Sequence, residues 1–116
     1  MQYLLLIYHN EAETAARSEA EASAMSAEYG VFTQSIIQSG HYKGGERLRP
    51  SSTASTVRVR NGKTITTEGP FAETREQLAG YYMIEASDLD AANAIAARIP
   101  SARTGGIEVR PIWPLA

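Results

Sequence analysis

Short runs of apolar residues, separated by polar and amphipathic stretches, divide the chain into elements. Residues 2–8 are seven consecutive residues of high apolarity without Gly or Pro, which predicts a first strand. Successive side chains of a strand point to opposite faces of the sheet. Both faces of this strand are apolar, with three residues on each: Tyr3, Leu5 and Ile7 on one, and Leu4, Leu6 and Tyr8 on the other.

A helix is predicted to follow, from Ser18 to about Ser39. Ser18 with Glu21 three residues later has the form of a capping box, and Gly40 is a residue type that can end a helix. Apolar residues recur between them at spacings of four, three and four: Met25, Tyr29, Phe32 and Ile36. Residues 10–17 are polar and alanine-rich, which predicts either a loop or a loosely held turn of helix.

The middle of the chain predicts a β-hairpin. Residues 41–49 are expected to be extended but interrupted at Gly44-Gly45, and Pro50 begins a connection rich in Ser and Thr. Residues 56–60 then alternate polar and apolar, and Asn61-Gly62 is a dipeptide favoured in two-residue hairpin turns. The returning strand, residues 63–67, is expected to place Ile65 inside.

A strand, a helix and a last strand are predicted for the C-terminal third. Residues 79–86 form a strand that is again apolar on both faces, with Tyr82 and Ile84 on one face and Tyr81 and Met83 on the other. Asp88 is a candidate N-cap for a helix that Pro100 ends. Its predicted apolar side consists of five residues: Leu89, Ala92, Ile95, Ala96 and Ile99. Residues 107–112 form the last strand, in which Pro111 indicates an edge position or the strand's end.

This order of elements predicts a single α+β domain over residues 1–116. It matches the split β-α-β pattern of the ferredoxin-like fold, an antiparallel sheet with two helices on one face. Two helices cover only one face, so the other apolar face needs a further cover. At about 25 cal/mol per Å² of apolar area, leaving such a face in water forgoes several kcal/mol. We therefore expect a homodimer that joins two sheets.

Composition narrows the classes of function. Hydrophobic residues make up 43% and charged residues 21% of 116 residues, as in ordinary globular proteins. The chain has no cysteine, which excludes disulfides, a thiolate nucleophile and cysteine-ligated metals. The N-terminal apolar run is too short to span a bilayer and lacks the basic flank of a signal peptide. We expect a cytoplasmic protein with no membrane partner.

Charge is unevenly distributed around a net value of −2. Six basic residues lie between residues 43 and 63 against one acid, Glu46: Lys43, Arg47, Arg49, Arg58, Arg60 and Lys63. A nucleic-acid surface would be strongly basic with interleaved aromatic residues. Only Tyr42 is nearby and the flanking segments are acidic, so we expect no nucleic-acid partner.

One segment resembles a known family. Residues 68–82 read EGPFAETREQLAGYY, which is similar to the signature of the YCII-related family and specifically of its DGPF branch. The similarity extends through residues 88–92, 97–100 and 108–111, and back through residues 56–60 to the first strand, so it covers nearly the whole chain. The sequence departs from the motif at its first letter, where Glu68 stands in place of Asp.

The resemblance implies a ferredoxin-like domain assembled as a dimeric α/β barrel. It implies less about function, because family members are mostly uncharacterised, although the wider superfamily includes small lactone isomerases and other enzymes that work without cofactors. It also implies a link to extracytoplasmic-function sigma factors in bacteria, so a protein linked to such a factor is a candidate partner.

Glu68 and His9 are the candidate catalytic residues. Glu68 precedes a rigid Gly-Pro turn near Phe71, where a carboxylate suits general acid/base work, or where it simply bonds backbone N–H groups of the turn. His9 and His41 each lie near the end of a predicted strand, and imidazole is the usual switch or base near neutral pH. The two histidines do not have metal-ligand spacing, and we expect neither metal nor cofactor.

Eight residues are candidates for contact with a small molecule: Tyr8, Arg58, Gly69, Pro70, Phe71, Glu73, Tyr81 and Arg110. Each also has a structural interpretation. Phe71 is either a substrate platform or a plug on the core, and the arginines either grip a carboxylate or pair with Glu85 or Glu108. Glu73 shares a face with Glu76 if residues 72–77 form a helical turn.

Two functions remain open at this stage. The first is a small-molecule-binding protein that performs isomerase- or lyase-like acid/base catalysis in a barrel pocket. The second is a non-catalytic regulatory or protein-interaction module.

Overall fold

A computed structural model describes residues 1–115. The described residues form six strands: β1 (Gln2–His9), β2 (Tyr42–Arg47), β3 (Ser55–Arg60), β4 (Lys63–Glu68), β5 (Gln77–Glu85) and β6 (Gly106–Pro111). They also form three α-helices: α1 (Glu11–Ala15), α2 (Glu19–Gln38) and α3 (Leu89–Ala96). Short 3₁₀ turns lie at Ser51–Thr53 and Pro100–Arg103.

Four of the strands form one antiparallel sheet, in the order β2-β5-β1-β6. The first strand of the chain is therefore internal, with Leu5 opposite Tyr82 on β5 and opposite Val109 on β6. Pro111 ends an edge strand, as its sequence position predicts. The molecule is α+β, and this strand order is compatible with a ferredoxin-like fold.

The core lies between one face of this sheet and the two longer helices. Its β1 residues are Tyr3, Leu5 and Ile7, the row predicted to share a face. Helix α2 contributes Phe32 and Ile36, and α3 contributes three residues: Ala92, Ile95 and Ala96. The predicted apolar side of α3 is wrong at Leu89, the first residue of the helix, which is 46% exposed.

The second sheet face, opposite the helices, is only half-buried. The register pairs Leu4 with Met83 and Leu6 with Tyr81 across β1 and β5, and all four side chains are partly exposed. On the edge strand, Glu108 lies opposite Leu6 and Arg110 opposite Leu4. An apolar centre with a charged border therefore faces outward.

The helix starts follow from local side-chain caps. Both halves of the predicted capping box are present, because the Ser18 hydroxyl accepts from the Glu21 N–H and the Glu21 carboxylate accepts from the Ser18 N–H. Asn10 caps α1 through its side-chain oxygen, which accepts from the Glu13 N–H. Of the two predictions for residues 10–17, the short helix is therefore correct. The side chain of Asp88 caps α3.

Strands β3 and β4 form a separate two-stranded sheet, which we call the arm (residues 55–68). The predicted turn is present, since Asn61 (φ 52°) and Gly62 (φ 75°) both have the positive φ of a type I′ turn. The prediction that Ile65 is inside is wrong. Ile65 is 46% exposed because the arm does not lie on the four-stranded sheet, so neither of its faces meets the core.

The segment after the arm, residues 69–76, is irregular. Phe71 is 75% exposed, so the prediction that it plugs the core is wrong. Residues 72–77 do not form a helical turn, and Glu73 and Glu76 therefore do not share a helical face.

Candidate functional site

A cleft of about 850 Å³ lies between the sheet and the segment formed by α1 and the first half of α2. It exists because the first half of α2 consists mainly of Ala and Ser, too small to reach the sheet, and the buried residues of this helix are Phe32 and Ile36 in its second half. Gly45 and Gly80 line its sheet side, where β2 and β5 approach each other closely. The volume suits a small organic ligand.

His9 lies on the sheet side of this cleft. It continues the row of Tyr3, Leu5 and Ile7 on the helix-facing side of β1, at the point where the core ends. Partial burial is the main cause that holds the pKa of His9 below its ordinary value of 6.5, and the charges of Arg17 and Arg47 add to the effect. Glu11 and Glu76 oppose it. The imidazole is therefore largely neutral at pH 7 and able to accept a proton.

Arg17 and Arg47 bring positive charge to the same cleft. Arg17 donates a long hydrogen bond of 3.5 Å to the Thr104 hydroxyl, and neither arginine forms an ion pair with any of residues 1–115. Of the acids in the lining, Glu11 already accepts hydrogen bonds from the Ser51 N–H (2.7 Å) and hydroxyl (2.9 Å). The guanidinium groups therefore remain able to bind an anionic group.

Two hydroxyl pairs border the cleft. Tyr29 donates to the Ser101 hydroxyl at 2.6 Å, and the hydroxyls of Tyr82 and Thr33 lie 2.6 Å apart. Burial raises the pKa of both tyrosines, so both remain protonated at neutral pH. Each pair uses one of its two hydroxyl protons internally, which leaves the other proton free for a ligand oxygen.

The sequence matches the family model described as "YCII-related domain" over residues 1–116. The chain belongs to the YCII-related domain family. An uncharacterised protein of Rhizobium meliloti (strain 1021) is 37% identical to this YCII-related domain over 114 residues, which are 97% of this chain and 92% of that protein. The DGPF branch stays a prediction.

In the YCII-related domain, the ten predicted site residues lie in three places: at the cleft, on the second sheet face, and on the arm or just after it. His9 and Tyr81 border the cleft, although the register of Tyr81 opposite Leu6 directs its ring to the second sheet face. Tyr8 is also on that face, in an open groove with Thr74 and Glu76. Arg110 forms the predicted ion pair with Glu108.

The remaining six predicted residues lie on the arm or just after it: Arg58, Glu68, Gly69, Pro70, Phe71 and Glu73. Within residues 1–115 of one YCII-related domain, none of them lines the cleft. Gly69 has φ 107°, a conformation that favours glycine, and its carbonyl accepts from the Thr56 hydroxyl at 3.0 Å. The guanidinium of Arg58 stacks over the Phe71 ring at 4.8 Å.

His41, the second histidine of the chain, makes a contact that joins two strands. The Nδ1 atom of His41 lies 2.8 Å from the Glu85 carbonyl oxygen, where it joins the start of β2 to the end of β5. His41 is not part of the cleft lining.

Sequence reasoning did not propose Arg17, Thr33, Arg47 or Ser101 as site residues. They come from four separate segments of the YCII-related domain, and the strand order of the sheet together with the helix packing brings them to one cleft. One sequence signal was present, because His9 directly extends an alternating apolar row and so had to lie on the helix side of the sheet.

Within residues 1–115 of the YCII-related domain, no helix is long and apolar enough to cross a membrane. No three His, Asp or Glu side chains in this part of the chain are grouped as metal ligands.

Proposed function

We propose that this YCII-related domain binds a small organic molecule in the cleft and acts on it by acid/base chemistry, with His9 as the proton acceptor. The observation that carries the proposal is a largely neutral imidazole inside a cleft that also holds Arg17 and Arg47. A base near neutral pH beside cationic groups is the pairing that deprotonation of a carbon acid requires.

The reaction class that fits this arrangement is isomerase- or lyase-like. The imidazole takes a proton from a carbon next to a carbonyl group, and the negative charge that develops on the carbonyl oxygen is stabilised by an arginine or a free hydroxyl proton. In an isomerisation, the imidazolium returns the proton to a different atom of the same molecule. In an elimination, the electron pair left on carbon expels a leaving group. Both schemes are complete without a bound cofactor.

Proton exchange in D₂O tests this proposal directly. The full chain is incubated with a panel of small lactones and 2-oxo acids, and NMR follows the loss of the C–H signal next to the carbonyl. We expect His9→Gln to slow exchange by at least about 100-fold, since a positioned base contributes roughly 10²–10⁴-fold.

His41→Gln is the matched control, because it removes an imidazole outside the cleft lining and should exchange as the wild type does. Ligand line broadening in the His9→Gln sample checks that binding survives. An His9→Gln variant that exchanges as fast as the wild type would show that the base is elsewhere.

We further propose that two copies associate through the second sheet face. Support comes from the half-exposed apolar rows on β1 and β5 and from their charged border on β6. This is the dimeric α/β barrel that the family resemblance implies. Cytoplasmic location and a partner linked to a sigma factor stay predictions.

A further inference from the structure

The arm (residues 55–68) has no cover of its own. Val57 and Val59 are 60% and 59% exposed on one side, and Ile65 is 46% exposed on the other. None of the arm residues belongs to the core cluster. A two-stranded hairpin without packing is at best marginally stable in water, so these apolar side chains need a surface to contact.

The shape of the molecule agrees with an extended arm. The radius of gyration is 16.2 Å, whereas a compact domain of this length has about 13 Å. The longest dimensions are 48 and 46 Å against a thickness of 19 Å. A hairpin that extends from a domain also presents two unpaired strand edges, which natural proteins usually cover.

The distribution of charged residues indicates which surface covers the arm. The arm carries three basic residues against Glu68: Arg58, Arg60 and Lys63. Residues 11–28, which we call the acidic rim, carry five acids against Arg17: Glu11, Glu13, Glu19, Glu21 and Glu28. A chain with both surfaces fits a twofold arrangement in which each copy offers the same two patches to the other.

We propose that the arm of one copy docks on the acidic rim of a second copy, and that the contact is reciprocal. Glu11 and Glu19 of the rim also line the cleft, so a docked arm lies at the mouth of the second copy's cleft. The arm then brings Arg58, stacked on Phe71, to the site from the other subunit. The proposal goes beyond the sheet-face dimer and does not depend on the chemistry of His9.

A charge-swap experiment tests the contact. Variant A carries Arg60→Glu and Lys63→Glu, two residues that face each other in the hairpin, so one like-charge pair replaces another and the hairpin itself is little changed. Variant B carries Glu13→Lys and Glu19→Lys, whose side chains make no hydrogen bond or ion pair with a described residue. A control variant, Lys43→Glu with Arg75→Glu, makes the same charge change outside both surfaces.

Amide hydrogen exchange of residues 55–68 is the readout, because docking protects the arm. At a concentration where the wild type is dimeric, we expect the arm to exchange at least about tenfold faster in A than in the wild type or the control. Variant B should show the same loss. An equimolar mixture of isotope-labelled A with unlabelled B should restore protection, since both reciprocal contacts regain opposite charges.

The mass of each sample, from sedimentation, separates this proposal from the sheet-face dimer. Variant A that stays dimeric with an unprotected arm supports the arm contact and leaves the sheet contact intact. Equal exchange of the arm in wild type and A, or a mixture that leaves A unprotected, would overturn the proposal.

Discussion

At the scale of single residues, His9 is the point where the core row of β1 becomes a site. The side chains before it on the same face are buried and apolar, whereas His9 is half-buried and meets the charges of Arg17 and Arg47. Burial and those charges both favour the neutral imidazole, so the pKa of this histidine is below its ordinary value. The same shift links the protonation of the site to the stability of the fold.

The pH dependence of stability follows from the lowered pKa of His9. As the pH falls, the unfolded chain binds its proton first, near the ordinary pKa of 6.5, and the folded protein binds it only at lower pH. The stabilisation is therefore present above 6.5 and is lost as the pH falls through the folded-state pKa. We expect the free energy of unfolding of the wild type to fall relative to that of His9→Gln between about pH 7.5 and about pH 5.

Urea unfolding of both proteins across that range measures the difference. The sign is the informative result, because a wild type that gains stability relative to His9→Gln on acidification would mean that Glu11 and Glu76 outweigh burial around the ring.

Residue roles were the part that the sequence predicted least well. The Arg110–Glu108 ion pair was one of the alternatives predicted for Arg110, and it forms between residues two apart on one strand that share a face. Phe71 and Ile65 were misplaced because an apolar residue in a strand or turn indicates burial only when another layer of the same chain reaches it. Arg17 and Arg47 could not be paired with His9, since the strand order and the helix packing set that proximity.

At the scale of elements, the spacing between β2 and β5 depends on a glycine. A Cβ atom at Gly80 would lie 2.7 Å from the Glu46 carbonyl oxygen and 3.3 Å from the Arg47 Cα, both of them backbone atoms of β2. Because backbone atoms of a paired strand cannot turn aside, a side chain at this position has to push β2 away from β5. That movement would also change the wall of the cleft that Arg47 and Gly80 line.

Gly80→Ala is therefore expected to lower the free energy of unfolding by roughly 1–3 kcal/mol, the usual cost of inserting a methyl group into a well-packed position. Gly44→Ala is the matched control on β2, because a Cβ atom there meets nothing within 4 Å. We expect the control to change stability by less than about 1 kcal/mol. Denaturant unfolding of the two variants gives the comparison, and equal destabilisation would contradict the close approach at Gly80.

The elements themselves were largely predictable because their signals are local. The Ser18 and Glu21 pair, the Asp88 cap and the Asn61-Gly62 turn each act within three or four residues, and all three are present. The position of the arm was not predictable. The alternation of polar and apolar residues in the arm defines the two faces of a hairpin. It does not indicate which surface lies against either face.

At the scale of the whole molecule, the proposed dimer depends on the second sheet face. Leu6 lies in its centre, opposite Tyr81 on β5 and Glu108 on β6. In a single copy, a lysine at position 6 would lie beside the Glu108 carboxylate and next to solvent. In the proposed dimer, the same lysine would be buried in an apolar interface. The substitution is therefore expected to disrupt the dimer more than the fold. We expect the wild type to sediment at twice the chain mass of 12.6 kDa and Leu6→Lys to sediment as one chain.

Val31→Lys is the control for that experiment, because Val31 is 73% exposed on the outer side of α2 and the substitution adds the same charge. It should remain dimeric. Circular dichroism checks that both variants are folded, and a folded Leu6→Lys dimer would place the interface on another surface.

The sheet order has a consequence for how the chain is made. β1 is synthesised before β5 and β6 but lies between them in the sheet, with Tyr3 opposite Ile84 on one side and Pro111 on the other. While the ribosome is still adding the middle of the protein, this apolar strand has no neighbour to hydrogen-bond with. The sheet therefore closes only after β5 and β6 have both been synthesised, and such long-range pairing is typical of slow-folding domains. Until then the exposed strand is the segment of the nascent chain that most needs protection from aggregation.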